Sequence, residues 1–337
     1  MRMSIISVQD HYPGRARSEA ELYRQVVAEA ELADELGYDT FFVAEHHFHE
    51  YGIVPNPAVL LAAIAQRTRR IRLGTAISTL TYHNPIEVAE SYAMLDILSD
   101  GRLTLGVGSG YLSHEFDGFG IDPAVKRERF DETFGLVRRL LAGETVTHKG
   151  RFHDLKGVRI NVAPRQADIP LYVAILRAEA AYHVGRQGFS LFTIPYASVA
   201  AFEQIADLVA SHRRGFAEAG RTDTANTLAI AFHTHVAETD AAARRVAAAP
   251  FDLYVATRLY ARKSTYDDAM ANGLSLMGSV EMVASKLVAL AEMGVDHVMA
   301  FHNFGAMPAS EVTRSMRLLM AEVMPRVEKR IAATSAA

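Results

Sequence analysis

The residues best suited to chemistry lie in one short stretch, "FFVAEHHFHEYG" at 41–52. It places an acid and three histidines, Glu45, His46, His47 and His49, directly after an apolar run. Imidazole titrates near neutrality and also binds metals, and a neighbouring carboxylate can take part in either kind of site. The stretch therefore admits three interpretations: a metal site, an acid–base centre, or the polar end of a buried strand.

Histidines also end other apolar runs of the chain. Five of the fourteen lie at or near expected strand ends: His46, His47, His233, His235 and His302. His233 and His235 have the spacing that puts two rings on one face of a strand, as in zinc hydrolases. His46 and His47 are adjacent, so their rings would point to opposite sides, and Asp-rich partners at later strand ends are missing. No metal site is therefore predicted.

Apolar runs rich in β-branched residues alternate with longer segments of helical period. Strands are predicted at 3–9, 40–45, 71–77, 102–108, 170–175, 189–194, 227–236 and 295–301. Helices are predicted at 18–36, 56–69, 85–99, 124–142, 178–187, 198–219, 279–293 and 309–331. Because the strands are nearly all apolar rather than alternating, they favour a parallel sheet covered by helices.

Eight strand–helix pairs are the number in a TIM barrel, an α/β fold whose minimal form needs about 250 residues. We therefore predict a TIM (β/α)8 barrel forming a single domain, 1–337, with insertions after strands 4 and 7 at about 111–128 and 238–278. A β-hairpin is a further interpretation of "ETVTHKGRFHDLKGVRINV". The rival fold is an open doubly wound sheet. The turn after the first strand, "QDHYPGRARSE", lacks the G-x-G-x-x-G that its dinucleotide-binding form needs.

Composition excludes several classes of function. The formal charge of −4 and the absence of long runs of like charge argue against a nucleic-acid partner. No stretch of 18 apolar residues occurs and the start resembles no signal peptide, so we expect a cytoplasmic protein without a membrane partner. The chain has no cysteine, which excludes disulfides and thiolate chemistry. Chemistry on small molecules remains.

Four segments of the chain carry a family resemblance. They read "EHHFHEYGIVPNP", "RIRLGTAISTLTYHNPIEVAESYAMLDILSDGRLTLGVGSGY", "EFDGFGID" and "SMRLLMAEVMP". In this order and spacing they resemble the bacterial luciferase-like flavin monooxygenase family, from the first strand to about residue 327 and most specifically at 41–122. The resemblance implies a barrel that binds reduced FMN at its C-terminal face. It also implies that O2 is used to oxygenate a small organic substrate through a C4a-peroxide of the flavin.

The resemblance assigns roles around the flavin ring. His46 occupies the family's catalytic position, as a general base or as a hydrogen-bond partner of the flavin peroxide. His47 should then face away and brace the loop. Ala76 and Ile77 match a position where the family often has a non-proline cis peptide beneath the ring, and Gly108 matches a position that contacts the ring. We expect His46→Ala to slow oxygenation while flavin affinity is kept.

The phosphate end departs from the family pattern. Ser109 stands where some relatives have arginine, and Arg127 in "VKRERF" matches a family phosphate contact. After strand five, relatives usually carry small hydroxyl residues, whereas this chain has Leu176 and Arg177. Two interpretations are open there. Arg177 replaces the missing hydroxyls as a charged phosphate ligand, or the site is weakened or built for a different cofactor.

Partners follow from the same resemblance. No nicotinamide fingerprint occurs, so reduced flavin is expected from a separate flavin reductase. A homodimer is also implied, and the alanine-rich segment "NPAVLLAAIAQRT" (56–68) is a candidate contact surface. Aromatic residues available for a substrate pocket are Tyr111, Phe116, Phe119, Tyr254, Tyr260 and Tyr266.

Two other functions stay open beside the FMN-dependent monooxygenase. Some members of the family use the deazaflavin F420 and transfer hydride instead. The altered turn at Arg177 also permits a catalytically silent flavin-binding protein, although the presence of His46 argues against it.

Overall fold

The computed structural model of the chain describes residues 1–15, 17–222, 228–257 and 264–335. The strands in these residues are β1 (Arg2–Ser7), β2 (Thr40–Val43), β3 (Arg72–Thr75), β4 (Ser78–Thr79), β5 (Leu103–Gly108), β6 (Val146–Lys149), β7 (Asp154–Val158), β8 (Leu171–Ile175), β9 (Ser190–Thr193), β10 (Leu228–Ala237), β11 (Leu276–Ser279) and β12 (His297–Phe301). The helices are α1 (Glu19–Leu36), α2 (Pro57–Arg67), α3 (Pro85–Leu98), α4 (Ser113–Phe119), α5 (Lys126–Leu141), α6 (Ala180–Arg186), α7 (Pro195–Ser198), α8 (Ile205–Glu218), α9 (Asp240–Ala256), α10 (Tyr266–Ala271), α11 (Val280–Glu292), α12 (Ala309–Leu318) and α13 (Met324–Ser335).

Eight of the strands close into a parallel barrel. Their order around it is β1, β2, β3, β5, β8, β9, β10 and β12, and β12 pairs again with β1. Each corresponds to a strand predicted from the apolar runs, so the predicted TIM barrel is confirmed. The short β4 pairs with β5, and β11 extends the sheet beside β10. Because all eight barrel strands run in one direction, their carboxyl ends meet at one face.

Aromatic rings fill the inside of the barrel. Phe192 stacks on Tyr172 with ring centroids 4.3 Å apart, and Phe42 meets Phe192 edge-on at 5.0 Å. Gly74 and Gly106 make room for these rings, since a Cβ at Gly74 would collide with Phe42 and one at Gly106 with Phe192. The interior is therefore a packed core, and in folds of this kind ligands bind above it, at the carboxyl ends of the strands.

The helices follow the predicted pattern with two differences. The helix predicted at 309–331 is divided into α12 and α13 by a π-helical segment, Leu319–Val323. The helix predicted at 198–219 begins only at Ile205. The side chain of Gln204 accepts hydrogen bonds from the backbone N–H groups of Ala200 and Ala201, which holds the preceding residues in a turn. Among the described helices, none combines the length and the apolarity that a membrane crossing needs.

The structure contains further helices and strands besides the eight strand–helix pairs of the barrel. After β5 the chain forms α4 and a 3-10 turn, Pro123–Val125, before α5, and after β10 it forms α9, α10 and β11. The hairpin anticipated before strand five is confirmed, because β6 and β7 pair antiparallel. The limits of the two insertions and the single domain stay predictions, and part of the second insertion, 258–263, lies outside the described residues.

Candidate active site

A cavity of about 850 Å³ opens at the carboxyl ends of the barrel strands. It is bordered by the ends of the neighbouring strands β2, β3, β5 and β8 and by the start of α5. All eight residues that the sequence suggested for catalysis and cofactor binding line it: His46, Ala76, Ile77, Gly108, Ser109, Arg127, Leu176 and Arg177. The fold thus brings together side chains that are up to 131 positions apart in sequence, the difference between 177 and 46.

The buried carboxylate of Glu115, on α4, contacts His46 and orients its ring. Nδ1 of His46 lies 3.2 Å from Oε1 of Glu115, and the backbone N–H of His47 donates to the same oxygen at 3.0 Å. The hydroxyl of Tyr82 donates to the other oxygen, Oε2, at 3.2 Å. Burial, together with the Glu115 carboxyl, raises the pKa of the Tyr82 hydroxyl above its usual range, so that this phenol stays protonated.

These contacts decide which nitrogen of His46 carries a proton. Because Glu115 accepts from Tyr82 and from the backbone of His47, its role toward Nδ1 is also that of an acceptor, and Nδ1 carries the hydrogen. In a neutral imidazole the other nitrogen, Nε2, is then left with a free lone pair. His46 lines the cavity, so its Nε2 lone pair suits a base that accepts a proton from a molecule bound there.

The loop after β2 is packed tightly around His46. The ring of Tyr51 meets the His46 ring edge-on with centroids 4.5 Å apart, and the N–H of His46 donates to the carbonyl of Val54 at 3.1 Å. A Cβ at Gly52 would come within 2.9 Å of the His46 ring and 2.8 Å of the Val8 carbonyl. The glycine is therefore needed for this close approach, and the loop leaves His46 little freedom.

Glu45 is the centre of a second buried network, on the other side of the same strand end. Its Oε1 lies 3.2 Å from Nε2 of His47 and 2.7 Å from Nε2 of His83, and its Oε2 accepts from the hydroxyl of Ser78 and the N–H of Thr79. Burial opposes ionisation of Glu45, but these hydrogen bonds and the charge of His83 outweigh it and lower the pKa to about 2. The pKa of His83 is shifted the other way: burial works against its charge, but Glu45 raises the value.

Glu45, His47 and His83 offer donor atoms within 4.8 Å of one another, a spacing at which a metal ion is conceivable. Both imidazoles, however, are directed at a single carboxylate oxygen, and the second oxygen is taken by Ser78 and Thr79. We interpret the group as a hydrogen-bonded clamp that joins β2 to the segment after β3. His47 thus has the bracing position expected for it, and it does not line the cavity.

Ala76, Ile77 and Gly108 form one wall of the cavity, which we call its floor. The peptide bond between Ala76 and Ile77 is cis, as the resemblance implies. Gly108, at the end of β5, faces Ile77, and a Cβ at Gly108 would collide with the Ile77 side chain, whereas Ala174 would lie 3.7 Å away. The floor is therefore formed by small and aliphatic groups, and glycine lets a flat ligand approach the backbone.

Three basic side chains line the cavity: Lys126, Arg127 and Arg177. Arg127 forms a 2.9 Å ion pair with Asp131 one turn along α5, and both are exposed. Arg177 is exposed, and its guanidinium has no hydrogen bond or ion pair with any part of the chain that the structure describes. The wall of the cavity therefore carries cations that suit a phosphate, in addition to His46.

The remaining strand-end histidines do not join this site. His233 lies among aromatic rings, with Phe251 and Phe301 both at 4.9 Å. Burial and the charge of Arg314 lower the pKa of His235 to about 4. Burial and His235 lower the pKa of His302 to about 3, and its Nδ1 lies 2.9 Å from the hydroxyl of Ser315. The imidazoles of His235 and His302 therefore stay neutral in the packing around β10 and β12, and none of the three histidines lines the cavity.

The aromatic residues considered for substrate contact lie in different parts of the structure. Tyr111 lines the cavity. Phe119 stacks on Tyr82 at 4.7 Å and Phe116 meets Tyr82 edge-on at 5.2 Å, so both support the clamp region from α4. Tyr254 and Tyr266 are buried in the insertion after β10. Tyr260 lies outside the described residues.

Sequence reasoning missed several residues that complete the site. The missed side chains are Tyr51, Tyr82, Glu115 and Lys126. Glu115 had one local signal, since it is the acid in the otherwise apolar and aromatic "EFDGFG". Lys126 adjoins Arg127 in sequence. Nothing local marks Tyr82, because its role depends on contact with a helix 33 residues away.

Comparison with known proteins places this geometry in context. A family model described as luciferase-like monooxygenase matches residues 1–297. The 4-hydroxyprotoasukamycin monooxygenase of Streptomyces nodosus subsp. asukaensis is 36% identical over 62% of this chain and 58% of its own length. The F420-dependent glucose-6-phosphate dehydrogenase of Amycolatopsis mediterranei is 34% identical over 49% of this chain and 51% of its own. The match thus spans little more than half the length of these two relatives.

Two solved structures resemble the whole fold. Monooxygenase RslO1 from Streptomyces bottropensis has a TM-score of 0.89 and 31% identity, covering 96% of this chain and 99% of that one. The oxygenating constituent of 3,6-diketocamphane monooxygenase from Pseudomonas putida, in complex with FMN, has a TM-score of 0.83. It is 20% identical and covers 97% of this chain and 98% of that one, which is a likeness of fold.

Proposed function

The chain belongs to the luciferase-like monooxygenase family, and from this premise we propose that it is a monooxygenase that uses reduced FMN and O2 to oxygenate a small organic substrate. The observation that carries the proposal is the cavity at the strand ends, which unites His46 with a floor of small groups and with three cations. Reduced FMN would supply the electrons that activate O2. The residues of the chain hold the flavin, exclude water and move protons.

The cavity suits FMN in both size and chemistry. A volume of about 850 Å³ lies within the range of sites for cofactor-sized ligands. Arg127, Lys126 and Arg177 would bind the phosphate, and Ala76, Ile77 and Gly108 would lie against the ring. Ser109 and Leu176 would border the part of FMN that joins its ring to its phosphate.

His46 would act on protons beside the ring. Glu115 keeps hydrogen on Nδ1, so Nε2 can take a proton from a reacting group and return it later. Tyr82 and the backbone of His47 hold Glu115 in place, and burial of the carboxylate makes this support rigid. The network therefore orients the base before any ligand binds.

An F420-dependent hydride transfer is the second candidate, because the Amycolatopsis relative is named for that cofactor. Anaerobic binding titrations with reduced FMN and with reduced F420 separate the two. The proposal requires the tighter dissociation constant for FMN, together with an altered rate of flavin reoxidation when air is admitted. Preference for F420, or FMN that reoxidises as fast as it does free in solution, would reject it.

Replacing Arg177 by alanine should weaken FMN binding about tenfold or more, since a charge-assisted hydrogen bond contributes roughly 1.5–3 kcal/mol. Arg177 borders the cavity and forms no ion pair within the described chain, so its loss leaves no buried partner unpaired. The measurement is the FMN dissociation constant by fluorescence quenching. Arg186→Ala is the control, because Arg186 is exposed on α6 and pairs with Glu218 away from the cavity. Equal constants for wild type and Arg177→Ala would show that the phosphate lies elsewhere.

Reduced flavin would come from a separate reductase. The described loop between β1 and α1 offers no glycine-rich turn for a nicotinamide dinucleotide. The Pseudomonas structure is titled as the oxygenating constituent of its monooxygenase, which suits a division of labour of this kind. Such a protein should oxygenate substrate with chemically reduced FMN alone. A requirement for added nicotinamide would contradict the two-component arrangement.

The protein would act as a homodimer through α2 and α3. The large apolar side chains found exposed among the described residues all fall between positions 48 and 98: Phe48, Val59, Met94, Ile97 and Leu98. Apolar groups gathered on neighbouring helices are typical of an interface. This surface includes the segment 56–68 identified from the sequence.

Sedimentation tests the dimer. Wild type should sediment as a dimer, and Ile97→Glu should shift it toward monomer, since two like charges would meet across a twofold interface. Ala210→Glu, on an exposed position of α8, is the control and should leave the dimer intact. A wild-type monomer at all concentrations, or an Ile97→Glu dimer as strong as the parent, would contradict the assignment.

A further inference from the structure

A second cavity of about 740 Å³ adjoins the first. It is bordered by α7 and the residues that follow it up to Ala200, and by parts of α8, α9 and α10. The two cavities share Tyr196 and Ala197 in their walls. They are therefore neighbouring chambers with a common boundary at α7.

The wall of this second cavity changes character from inside to outside. The apolar residues at its base are buried: Leu208, Phe251, Val255, Ala269 and Leu274. The polar residues at its edge are exposed: Glu179, Gln204, Asp207, Asp268 and Asn272. An apolar base with polar groups at the mouth is the usual composition of a site for a small organic molecule.

Binding of FMN in the first cavity would not fill the second cavity. Sites for drug-sized ligands are about 300–1,000 Å³, and each of the two cavities alone reaches that range. FMN would use the first cavity, where the cations and His46 lie. The second cavity leaves room for another molecule of comparable size.

Tyr196 stands where the two chambers meet. Its ring lies 5.4 Å from the ring of His233, which in turn packs at 4.9 Å against Phe251 in the base of the second cavity. The rings of Tyr196 and Phe251, which both contact His233, thus line the second cavity, and Tyr196 lines the first as well. A ligand that reached from one cavity into the other would lie beside Tyr196 and Ala197, which belong to both walls.

We propose that the second cavity holds the body of the substrate, a bulky and largely apolar organic molecule with a polar end directed to the rim. This rests on the proposed function, because the reacting end of that molecule must extend past Tyr196 into the flavin cavity. Tyr196 then limits which substrates fit, and small substrates that occupy only the first cavity gain nothing from the second.

Equilibrium dialysis with 1-aminoanthracene, a neutral tricyclic amine, tests the cavity directly and avoids interference from flavin colour. Binding is measured on the full chain with and without FMN. Two variants fill the second cavity at positions that are only half-buried: Ser211→Trp and Val199→Trp. Ala210→Trp is the matched control, since Ala210 adjoins Ser211 on α8, is exposed and does not line the cavity.

The expected result is one bound probe per chain, with or without FMN. Affinity should fall about tenfold or more in both filling variants, because an indole ring would take the space that the probe needs. Ala210→Trp should bind like wild type, and FMN affinity should be the same in all forms. Displacement of the probe by FMN, or equal probe affinity in all four proteins, would overturn the inference. Loss of FMN binding with probe binding intact would instead reject the proposed function.

Discussion

The His46→Ala variant is expected to lose roughly a hundredfold to ten-thousandfold in kcat, the usual contribution of a positioned acid–base group. His46 lines the cavity that we propose for the flavin, and Glu115 fixes its hydrogen on Nδ1. Alanine removes the proton acceptor and leaves the three cations of the cavity wall untouched. The FMN dissociation constant should therefore stay within a few-fold of wild type while turnover falls.

The measurement is kcat with any substrate that the wild type oxygenates, with FMN affinity determined in parallel. His49→Ala is the control on the same loop, because the His49 ring lies against His114 outside the cavity wall and accepts only the N–H of Tyr51. Unchanged turnover in His46→Ala would remove His46 from the chemistry. A parallel loss of FMN binding would mean that His46 holds the flavin and is not its base.

The fold could be predicted because its signals are local. Eight apolar runs and the helices between them are readable within windows of a few residues, and all eight runs form barrel strands. The error at 198–219 has a local cause of another kind. Helical period was present there, but the Gln204 side chain satisfies the backbone of Ala200 and Ala201 and delays the helix. Periodicity does not report such a competing hydrogen bond.

The site was predictable only in part, and the missing part is long-range. The resemblance supplied His46, Gly108 and the 76–77 peptide, because these lie in contiguous motifs at strand ends. Glu115 meets His46 across 69 residues, and His83 meets Glu45 across 38. Such pairs exist only once the barrel closes and α4 folds back on the loop after β2. A single sequence carries no spacing rule for them.

Glu45→Ala is expected to lower the free energy of unfolding by about 3–5 kcal/mol, the usual effect of removing one partner from a buried charged group. Glu45 is buried, and its carboxylate satisfies His47, His83, Ser78 and the N–H of Thr79. Without it, two imidazoles and a buried amide lose their acceptor at once. Thr79 follows the 76–77 peptide closely, so we also expect weaker FMN binding.

Urea unfolding at several pH values tests this variant. The folded pKa of Glu45 is about 2, below its ordinary 4.5, so its stabilisation is complete above pH 4.5 and declines as the pH falls toward 2. The contribution of His83 to stability changes with pH in the opposite direction. Because its pKa is raised in the folded protein, the stabilisation is complete below pH 6.5 and declines as the pH rises through the folded pKa. The difference in the free energy of unfolding between wild type and Glu45→Ala should therefore be largest between pH 4.5 and pH 6.5. It should become smaller at lower and at higher pH. Glu128→Ala is the control, since Glu128 forms only an exposed ion pair with Arg151, and should change stability little at any pH. A difference that is small at neutral pH would show that solvent reaches the clamp and replaces the carboxylate.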